Sequence, residues 1–252
     1  MYRLRRSLLR TLVPEWYWSK TVTLDGVRIP VRGMPYSFGV KHVLTKGNYE
    51  ADERALLKEV ISEGDQVVEL GGSIGILAGI MSEKVSAFGR VVCVEASDRL
   101  TQHSRAWLEP KGNVKILTGI GFPVCRVPEK YMSLSFLDDG NSLGGTVNFQ
   151  LEECERPSVP SHEIYDLDTI SAKTGIQPNI LVIDIEGSEI VLQEPDVKIP
   201  DSVQHIVIEM HPGIYGLDTE KLIIDRIEKL GLKVIKEMSH VFLLSRSKQT
   251  NS

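Results

Sequence analysis

Val67-Val68-Glu69-Leu70-Gly71-Gly72-Ser73-Ile74-Gly75 combines a short apolar strand, a glycine-rich turn and the start of a helix. Glycines let such a turn bring its backbone close to a ligand, and a helix N-terminus offers N–H groups that lack partners. The spacing Gly71, Gly72, Gly75 is not the Gly-x-Gly-x-x-Gly pattern of dinucleotide sites. The segment predicts an α/β protein with a different kind of ligand turn, although a purely structural strand-to-helix turn would give the same pattern.

Two carboxylates near this turn indicate the charge of the ligand. Glu69 lies two residues before Gly71, where it would repel a pyrophosphate but suit a cation. Glu95 lies 20 residues after Gly75, at the tip of the next strand, where a carboxylate can accept both hydroxyls of a ribose. A positively charged nucleoside without phosphates fits both acids, and S-adenosylmethionine is such a ligand.

Acidic residues also follow two later strands. In Leu181-Val182-Ile183-Asp184-Ile185-Glu186, the acids are two apart and leave the strand on the same side. Glu209 and His211 repeat this spacing on the next strand. Because ligands of open parallel sheets bind beyond the carboxyl ends of the strands, both pairs should converge on the glycine turn. An acidic helix cap at Glu189 and a surface His211 are the structural alternative, which leaves Asp184 unexplained.

The rest of the chain alternates strands and helices. Apolar segments predict strands at 66–70, 90–94, 114–117, 180–185 and 205–210, with helices at 50–61, after Gly75, at 97–109, near 166–174 and at 218–230. Asp218 would cap the last helix, and a turn at Met238-Ser239 would join antiparallel strands 232–237 and 240–245. The expected fold is a three-layer, doubly wound, mostly parallel seven-stranded sheet ending in an antiparallel hairpin. That ending is typical of class I methyltransferases rather than of nicotinamide-binding Rossmann domains.

Composition excludes several classes of protein. The 252 residues carry a net charge of −5, which disfavours a dedicated nucleic-acid binder. The three cysteines, Cys93, Cys125 and Cys154, have no Cys-x-x-Cys spacing, so a disulfide framework or zinc finger is not expected. No apolar run approaches the roughly 18 residues of a membrane-spanning helix. The chain is therefore expected to be cytoplasmic.

The predicted organisation has three parts: an N-terminal extension at 1–46, a main domain at 47–246 and a polar tail at 247–252. In the extension, Arg3, Arg6 and Arg10 share one helical face, aromatic residues follow Pro14, and residues 20–32 predict a hairpin turning at Asp25-Gly26. Residues 1–18 are typical of a helix on an anionic membrane, or of one packed on its own domain or on a second subunit, which is favoured. Residues 118–165 break the rhythm and predict an excursion facing the substrate.

The sequence resembles the FkbM-type S-adenosylmethionine-dependent methyltransferases between about Gly47 and Val207. The resemblance is carried by Gly47-Asn48-Tyr49-Glu50, the glycine turn, Tyr165-Asp166-Leu167-Asp168-Thr169-Ile170 and, most specifically, Ile183-Asp184-Ile185-Glu186-Gly187-Ser188-Glu189. Three segments depart from the family pattern: Gly71-Gly72-Ser73 replaces Gly-Ala-Asn, Glu95-Ala96 replaces Glu-Pro, and Thr118-Gly119-Ile120-Gly121 replaces an Asn/Ala-rich stretch.

The resemblance implies methyl transfer to an oxygen, often a hydroxyl of a sugar, glycan or secondary metabolite. Together with the residue pattern, it assigns S-adenosyl-L-methionine to a site formed by Glu50, Glu69, Gly71, Gly72, Ser73, Gly75, Glu95, Ala96 and Asp184. A homo-oligomer is compatible with this interpretation.

Methyl transfer from a sulfonium depends mainly on alignment, with further help from a base near the hydroxyl. Asp184 is the first candidate, either as base or as partner of the cofactor's ammonium group, and Glu186 and His211 are alternatives. Asp184, Glu186, Glu209 and His211 could hold a metal ion, but their spacing is explained equally well without one, so no metal is predicted. A nicotinamide-dependent oxidoreductase and a catalytically degenerate Rossmann-like binding module are the alternative functions.

Overall fold

The computed structural model describes residues 13–34, 36–132 and 162–247, together with the backbone of 135–137 and 146–148. The helices are α1 Phe38–Lys46, α2 Ala51–Val60, α3 Ile76–Val85, α4 Asp98–Leu108, α5 Leu167–Thr174, α6 Pro212–Tyr215 and α7 Leu217–Lys229. The strands are β1 Thr21–Leu24, β2 Val27–Pro30, β3 Gln66–Leu70, β4 Arg90–Glu95, β5 Val114–Thr118, β6 Ile120–Gly121, β7 Ser135–Leu137, β8 Thr146–Asn148, β9 Ile164–Tyr165, β10 Ile180–Ile183, β11 His205–Glu209, β12 Leu232–Met238 and β13 Val241–Arg246. Within this part of the chain, no helix is sufficiently long and apolar to cross a membrane.

A seven-stranded sheet with the order β12-β13-β11-β10-β3-β4-β5 forms the centre of the molecule. The pairs β11–β10, β10–β3, β3–β4 and β4–β5 are parallel, whereas β13 is antiparallel to both β11 and β12. The predicted mostly parallel sheet with a closing antiparallel hairpin is therefore confirmed.

Both faces of this sheet are covered, because alternate residues of its strands enter different cores. Val68, Leu70 and Leu181 pack with apolar residues of α5, α7 and the 3₁₀ segment Ser188–Gln193. Val67 and Val182 belong to a second core with α2, α3 and the end of α4. This arrangement gives the three predicted layers and explains why the central strands are apolar on both sides.

The order in which the chain adds strands to the sheet reverses between β3 and β10. The chain proceeds from β3 outward to β4 and β5, and β10 then returns to pair with the other side of β3. Parallel sheets leave a crevice at such a point, beyond the carboxyl ends of the adjacent strands. Gly71 follows β3 and Asp184 follows β10, so both border this crevice.

The N-terminal hairpin is also as predicted, with Asp25 and Gly26 at positive φ in its turn. Its core includes Trp18 and Ile29, which share an apolar cluster with Ile76 and Ile80 of α3. The hairpin therefore packs on the helix that follows the glycine turn. The predicted basic helix lies outside the described residues as far as Leu12, as does the tail from Lys248 onward.

Three local predictions are wrong. β10 ends at Ile183 instead of residue 185, and left-handed backbone at Glu186 and Gly187 follows two residues later. Gly216, rather than Asp218, is the N-cap of α7, and Asp218 lies within its first turn. Finally, the closing turn lies at Ser239 and His240, both at positive φ as a two-residue hairpin of type I′ requires. The helix α1 was not predicted at all.

The excursion at 118–165 begins and ends at one place, because β6 pairs in parallel with β9. Between them, β7 and β8 form an antiparallel pair. The turn signals that the sequence places at 138–145 and 157–160, and Cys154, lie outside the described residues.

We expect Gly71→Ala to destabilise the protein far more than Gly26→Ala. Both glycines have nearly the same φ, +85° and +86°, so a Cβ costs about 1–2 kcal/mol of backbone strain at either position. At Gly26 nothing lies within 4 Å of the added Cβ, whereas at Gly71 it would overlap the Asp184 carbonyl oxygen. The overlap should bring the loss for Gly71→Ala to about 2–5 kcal/mol, measured by urea unfolding. Equal losses for the two variants would show that the overlap is relieved at no cost.

Candidate functional site

The glycine turn lies against neighbouring strands so closely that each glycine has a packing reason. A Cβ at Gly72 would overlap Cys93 Sγ and lie 2.9 Å from Glu69 Oε2, and one at Gly75 would overlap Leu108 of α4. The Gly71 and Gly72 N–H groups both donate to the Val94 carbonyl, at 2.9 and 3.1 Å. The protein's own packing therefore requires glycine at positions 71, 72 and 75. Because packing alone explains the pattern, ligand binding by this turn remains a prediction.

Glu95 holds the turn from the end of β4. Its Oε2 accepts a hydrogen bond from the Ser73 N–H at 2.9 Å, and its Oε1 accepts one from the Ser97 N–H at 2.7 Å. The side chain is buried, with 7% of its surface exposed. Glu95 therefore holds the turn at Ser73 and the start of α4 at Ser97, and its contact with ribose hydroxyls remains a prediction. Ala96, the next predicted contact, is half-buried and packs on the core beside α5.

Glu69 lies deeper than the sequence suggests. It is 3% exposed, it accepts hydrogen bonds from the Cys93 thiol and the Ala78 backbone N–H, and its Oε2 is buried without a partner. Burial raises the pKa of Glu69 to about 8, although the two hydrogen bonds oppose the shift. Glu69 therefore supports the first turn of α3 from below and is largely protonated at neutral pH.

Asp184, Glu186 and His211 meet as predicted, and Glu189 joins them; we call these four residues the acid–histidine cluster. His211 Nε2 lies 3.5 Å from Asp184 Oδ1 and 3.6 Å from Glu186 Oε2, while His211 Nδ1 donates to Glu189 Oε1 at 3.1 Å. Glu189 is fully buried and also accepts the Ile185 backbone N–H at 3.1 Å. His211 is 15% exposed, so the structural alternative of a surface histidine is wrong.

Protonation inside the cluster follows from its charges. Burial of the imidazole lowers the pKa of His211, but the hydrogen bond to Glu189 and the charges of Asp184 and Glu186 outweigh burial and raise the pKa to about 9. Burial raises the pKa of Asp184 well above its usual range, and the charges of Glu209 and Glu50 add to the effect. A carboxylate with such a pKa is a stronger base than an exposed one.

More acids surround this cluster than the sequence indicates. Glu209, at the end of β11, shares a hydrogen bond with Glu53 of α2, and burial together with Glu53 raises the pKa of Glu209 to about 7. Burial raises the pKa of Glu50 well above its usual range, and the Tyr49 hydroxyl bonds to it. Glu53 was missed, yet it is three and four residues before the buried Leu56 and Leu57, so helical periodicity places it on the inward face.

Backbone strain concentrates at the same edge. Among the described residues, the non-glycine residues at positive φ include Glu50 at 43°, Ser73 at 48° and Glu186 at 50°, each of which borders the crevice. Asp25, Ser239 and His240 occupy hairpin turns, where this conformation is expected, and Ser86 ends α3. Strained backbone at three candidate ligand-binding positions is typical of functional sites.

Three comparisons with known proteins bear on what this site does. The family described as Protein-L-isoaspartate(D-aspartate) O-methyltransferase matches residues 30–122, which is less than half of the chain. The matched part includes the glycine turn and Glu95 but ends before Asp184.

A relative from Haloferax volcanii, named hexuronic acid methyltransferase AglP, is 26% identical over 188 residues, covering 74% of this chain and 72% of the relative. Solved structures with some likeness include Aeropyrum pernix fibrillarin with natively bound S-adenosyl-L-methionine, at 16% identity and TM-score 0.41 over 78% of this chain and 73% of that one. Another is a putative rRNA-methylase from Clostridium thermocellum, at 10% identity and TM-score 0.43 over 79% and 96%. Similarities this low assign no fold, which rests instead on the sheet topology described above.

The family match and the relative confirm the prediction of a methyltransferase. S-adenosylmethionine is the methyl donor, as predicted from the carboxylates around the glycine turn. An oxidoreductase that uses a nicotinamide cofactor is not favoured by either match. The part played by each site residue remains a prediction.

We expect Glu69→Gln to remove part of the pH dependence of stability. With a folded pKa of about 8 against an ordinary value of 4.5, folded Glu69 keeps a proton that the unfolded chain releases, so stability falls as pH rises from 4.5 to 8. Glutamine resembles the neutral acid and lacks this titration. Between pH 5 and pH 8.5, the unfolding free energy of the variant should gain about 2–4 kcal/mol relative to wild type.

Chemical denaturation at several pH values measures this difference. Glu237→Gln, at an exposed position of β12, is the control and should follow wild type at every pH. Parallel curves for Glu69→Gln and wild type would mean that buried Glu69 titrates normally.

We expect Glu95→Ala to weaken binding of S-adenosylhomocysteine by about 1.5–3 kcal/mol, the range for a hydrogen bond to a charged group. The loss combines missing ribose contacts with a turn that is no longer held at Ser73 and Ser97. Calorimetric titration measures affinity, and thermal melting reports on folding. Asp98→Ala, which removes an exposed carboxylate three residues away, should bind normally. Unchanged affinity in folded Glu95→Ala would remove Glu95 from the site.

Proposed function

We propose that the protein is an FkbM-type O-methyltransferase that transfers the methyl group of S-adenosylmethionine to a hydroxyl of a sugar, glycan or secondary metabolite. The observation that carries the proposal is the position of Asp184. Its Oδ1 is buried without a hydrogen-bond partner and faces His211 Nε2, while its backbone lies against the glycine turn. An acceptor bound beside Asp184 would therefore lie next to the methyl donor.

The residues assigned to the cofactor belong to the glycine turn or are acids close to it in the sequence or the fold. Gly71, Gly72, Ser73 and Gly75 form the turn, and Glu95 accepts the Ser73 N–H, whereas Glu69 precedes the turn and Glu50 caps α2. S-adenosylmethionine carries a sulfonium and an ammonium group, and the acids that border the crevice suit both. A bound cation would also favour the ionised form of Asp184, which burial otherwise disfavours.

The reaction is an in-line displacement at the methyl carbon. A bond forms from the acceptor oxygen to the methyl group, the carbon–sulfur bond breaks, and its electron pair stays on sulfur. The hydroxyl proton passes to the acid–histidine cluster, where Asp184 is the first candidate to receive it. The hydrogen bond of His211 to buried Glu189 fixes the ring so that Nε2 faces this position.

The acceptor class is supported by the relative rather than by a pocket. AglP is named for a hexuronic acid, and this chain covers most of its length. The excursion at 118–165, predicted to face the substrate, would supply the contacts that select among hydroxyl compounds. The division into an extension at 1–46, a main domain at 47–246 and a tail at 247–252 is retained as part of the proposal.

We also propose that the protein acts in a reducing compartment, the cytoplasm, since Cys93 and Cys125 are free thiols. Trp16 and Tyr17 are 75% and 64% exposed and follow Arg3, Arg6 and Arg10 in the sequence, which supports peripheral contact of 1–18 with an anionic membrane. Pelleting with anionic vesicles, with and without residues 1–18, tests this contact.

We expect Asp184→Asn to lower turnover by roughly 10²-fold or more while leaving cofactor affinity almost intact, because asparagine keeps the size but cannot take a proton. The assay mixes isotopically labelled S-adenosylmethionine with a panel of uronic acids, neutral sugars and small phenols, and detects labelled product by mass spectrometry. Asp196→Asn, an exposed carboxylate outside the site, is the matched control.

Other results for Asp184→Asn have distinct meanings. A fall in cofactor affinity would identify Asp184 as the partner of the ammonium group. A lower melting temperature with normal kinetics would make it structural. Normal turnover together with normal affinity would remove it from the site, and absence of labelled product from every hydroxyl compound would overturn the proposed acceptor class.

A further inference from the structure

The donor atoms of the acid–histidine cluster converge on one point. Asp184, Glu186 and His211 each offer one atom, and these atoms all lie within 4.8 Å of one another. Atoms bound to a common first-row metal ion at about 2.0–2.2 Å must lie within such a distance. Two carboxylate oxygens and an imidazole nitrogen are a donor set for divalent ions such as Mn²⁺ or Zn²⁺.

A second observation concerns an atom that the protein itself leaves unsatisfied. Asp184 Oδ1 is buried, has no hydrogen-bond partner and lies 3.5 Å from His211 Nε2. A buried carboxylate oxygen without a partner is costly unless something outside the chain binds it. A cation placed between Asp184 and His211 would satisfy it.

Glu189, which hydrogen-bonds to His211, is also of the residue type that usually orients a metal-binding histidine. A histidine ligand usually donates its other ring N–H to a carboxylate or carbonyl, which fixes the tautomer and the ring orientation. Here Nδ1 donates to Glu189, which is fully buried, and Nε2 is left to face the two acids. An ion from solvent would approach these donor atoms past Glu186, because the Glu186 side chain is 46% exposed and that of Asp184 is 28% exposed.

We propose that Asp184, Glu186 and His211 bind a divalent metal ion, with Glu189 as the positioning residue for His211. The sequence pattern alone predicts no metal, and Glu209, a possible fourth ligand in that pattern, pairs with Glu53 instead. In its effect on catalysis, the inference rests on the proposed function: an ion there would bind the acceptor oxygen as a Lewis acid, and the second oxygen of the Asp184 carboxylate would take the hydroxyl proton. It also removes a difficulty: an acidic cluster repels the carboxylate of an acceptor such as a uronic acid, and a dication bridges the two.

The test uses Mn²⁺ and the full chain, without cofactor or acceptor. Loss of the electron paramagnetic resonance signal of free Mn²⁺ reports binding. We expect saturable binding by wild type, at least tenfold weaker binding by His211→Gln and Glu186→Gln, and a smaller loss for Glu189→Gln. Glu186→Gln is the variant least exposed to folding defects, because its side chain is half exposed, and circular dichroism checks the fold of all three.

The matched control is the histidine–carboxylate pair on the surface, where His240 Nδ1 lies 2.9 Å from Glu220 Oε2. His240→Gln should bind Mn²⁺ as wild type does. The proposal is overturned if wild type leaves the Mn²⁺ signal unchanged, or if His240→Gln weakens binding as much as His211→Gln.

Measurements in a chelator separate this inference from the proposed function. Normal labelled-product formation after complete removal of metal would overturn the catalytic role of the ion and leave the methyltransferase function intact. Conversely, Mn²⁺ binding by a chain that forms no product would support the site while contradicting the proposed acceptor.

Discussion

The end of β3 and the end of β10 approach each other so closely that only a glycine fits between them. Gly71 lies against the Asp184 carbonyl, and the Asp184 N–H donates to the Leu70 carbonyl at 3.0 Å. This close approach occurs where the strand order of the sheet reverses, and an open α/β fold leaves a crevice at such a point. It fixes the distance between the glycine turn and the acid–histidine cluster. In the proposed function, backbone packing rather than flexible side chains would therefore set the alignment that methyl transfer requires.

Charge is the second constraint on this edge of the sheet. Glu50, Glu69, Asp184 and Glu209 all have pKa values above their usual ranges, in each case because burial disfavours the charged form. The imidazole of His211 faces Asp184, Glu186 and Glu189, and the hydrogen bond to Glu189 together with the charges of the acids raises the pKa of His211. A site built in this way gains most from positively charged ligands, which agrees with a sulfonium cofactor and with a divalent ion.

The sequence predicts the sheet well because its signals are local and strong. Apolar strands such as Ile180–Ile183 and capped helices such as α4, where Ser97 accepts the Leu100 N–H, carry their own patterns. The convergence of Asp184, Glu186 and His211 follows from parallel strands ending at one edge. Helix α1 was missed because its buried residues are Leu44 and Lys41, and the burial of Lys41 depends on its pairing with Glu15, which is distant in the chain.

A single sequence does not show how deeply a charged side chain is buried or which distant residue lies beside it. In the linear pattern Glu69 is interpreted as a contact for a cationic ligand and Glu189 as a helix cap, yet both are buried, and their neighbours Cys93 and His211 are distant in the chain. The sequence likewise offers Glu209 as a metal ligand, whereas in the structure it shares a hydrogen bond with Glu53 of α2. Such pairings depend on tertiary contacts that periodicity does not encode.

The pairing of β6 with β9 separates two kinds of variation. Ile120–Gly121 and Ile164–Tyr165 are hydrogen-bonded to each other, so the segment between them leaves and re-enters the domain at one point. Insertions or deletions within it need not move the glycine turn or the strand that carries Asp184. If this segment selects the acceptor, as proposed, changes in it alter the compound that is modified and leave the glycine turn in place. Because its two ends are hydrogen-bonded to each other, the segment between β6 and β9 can be exchanged as a unit in protein engineering.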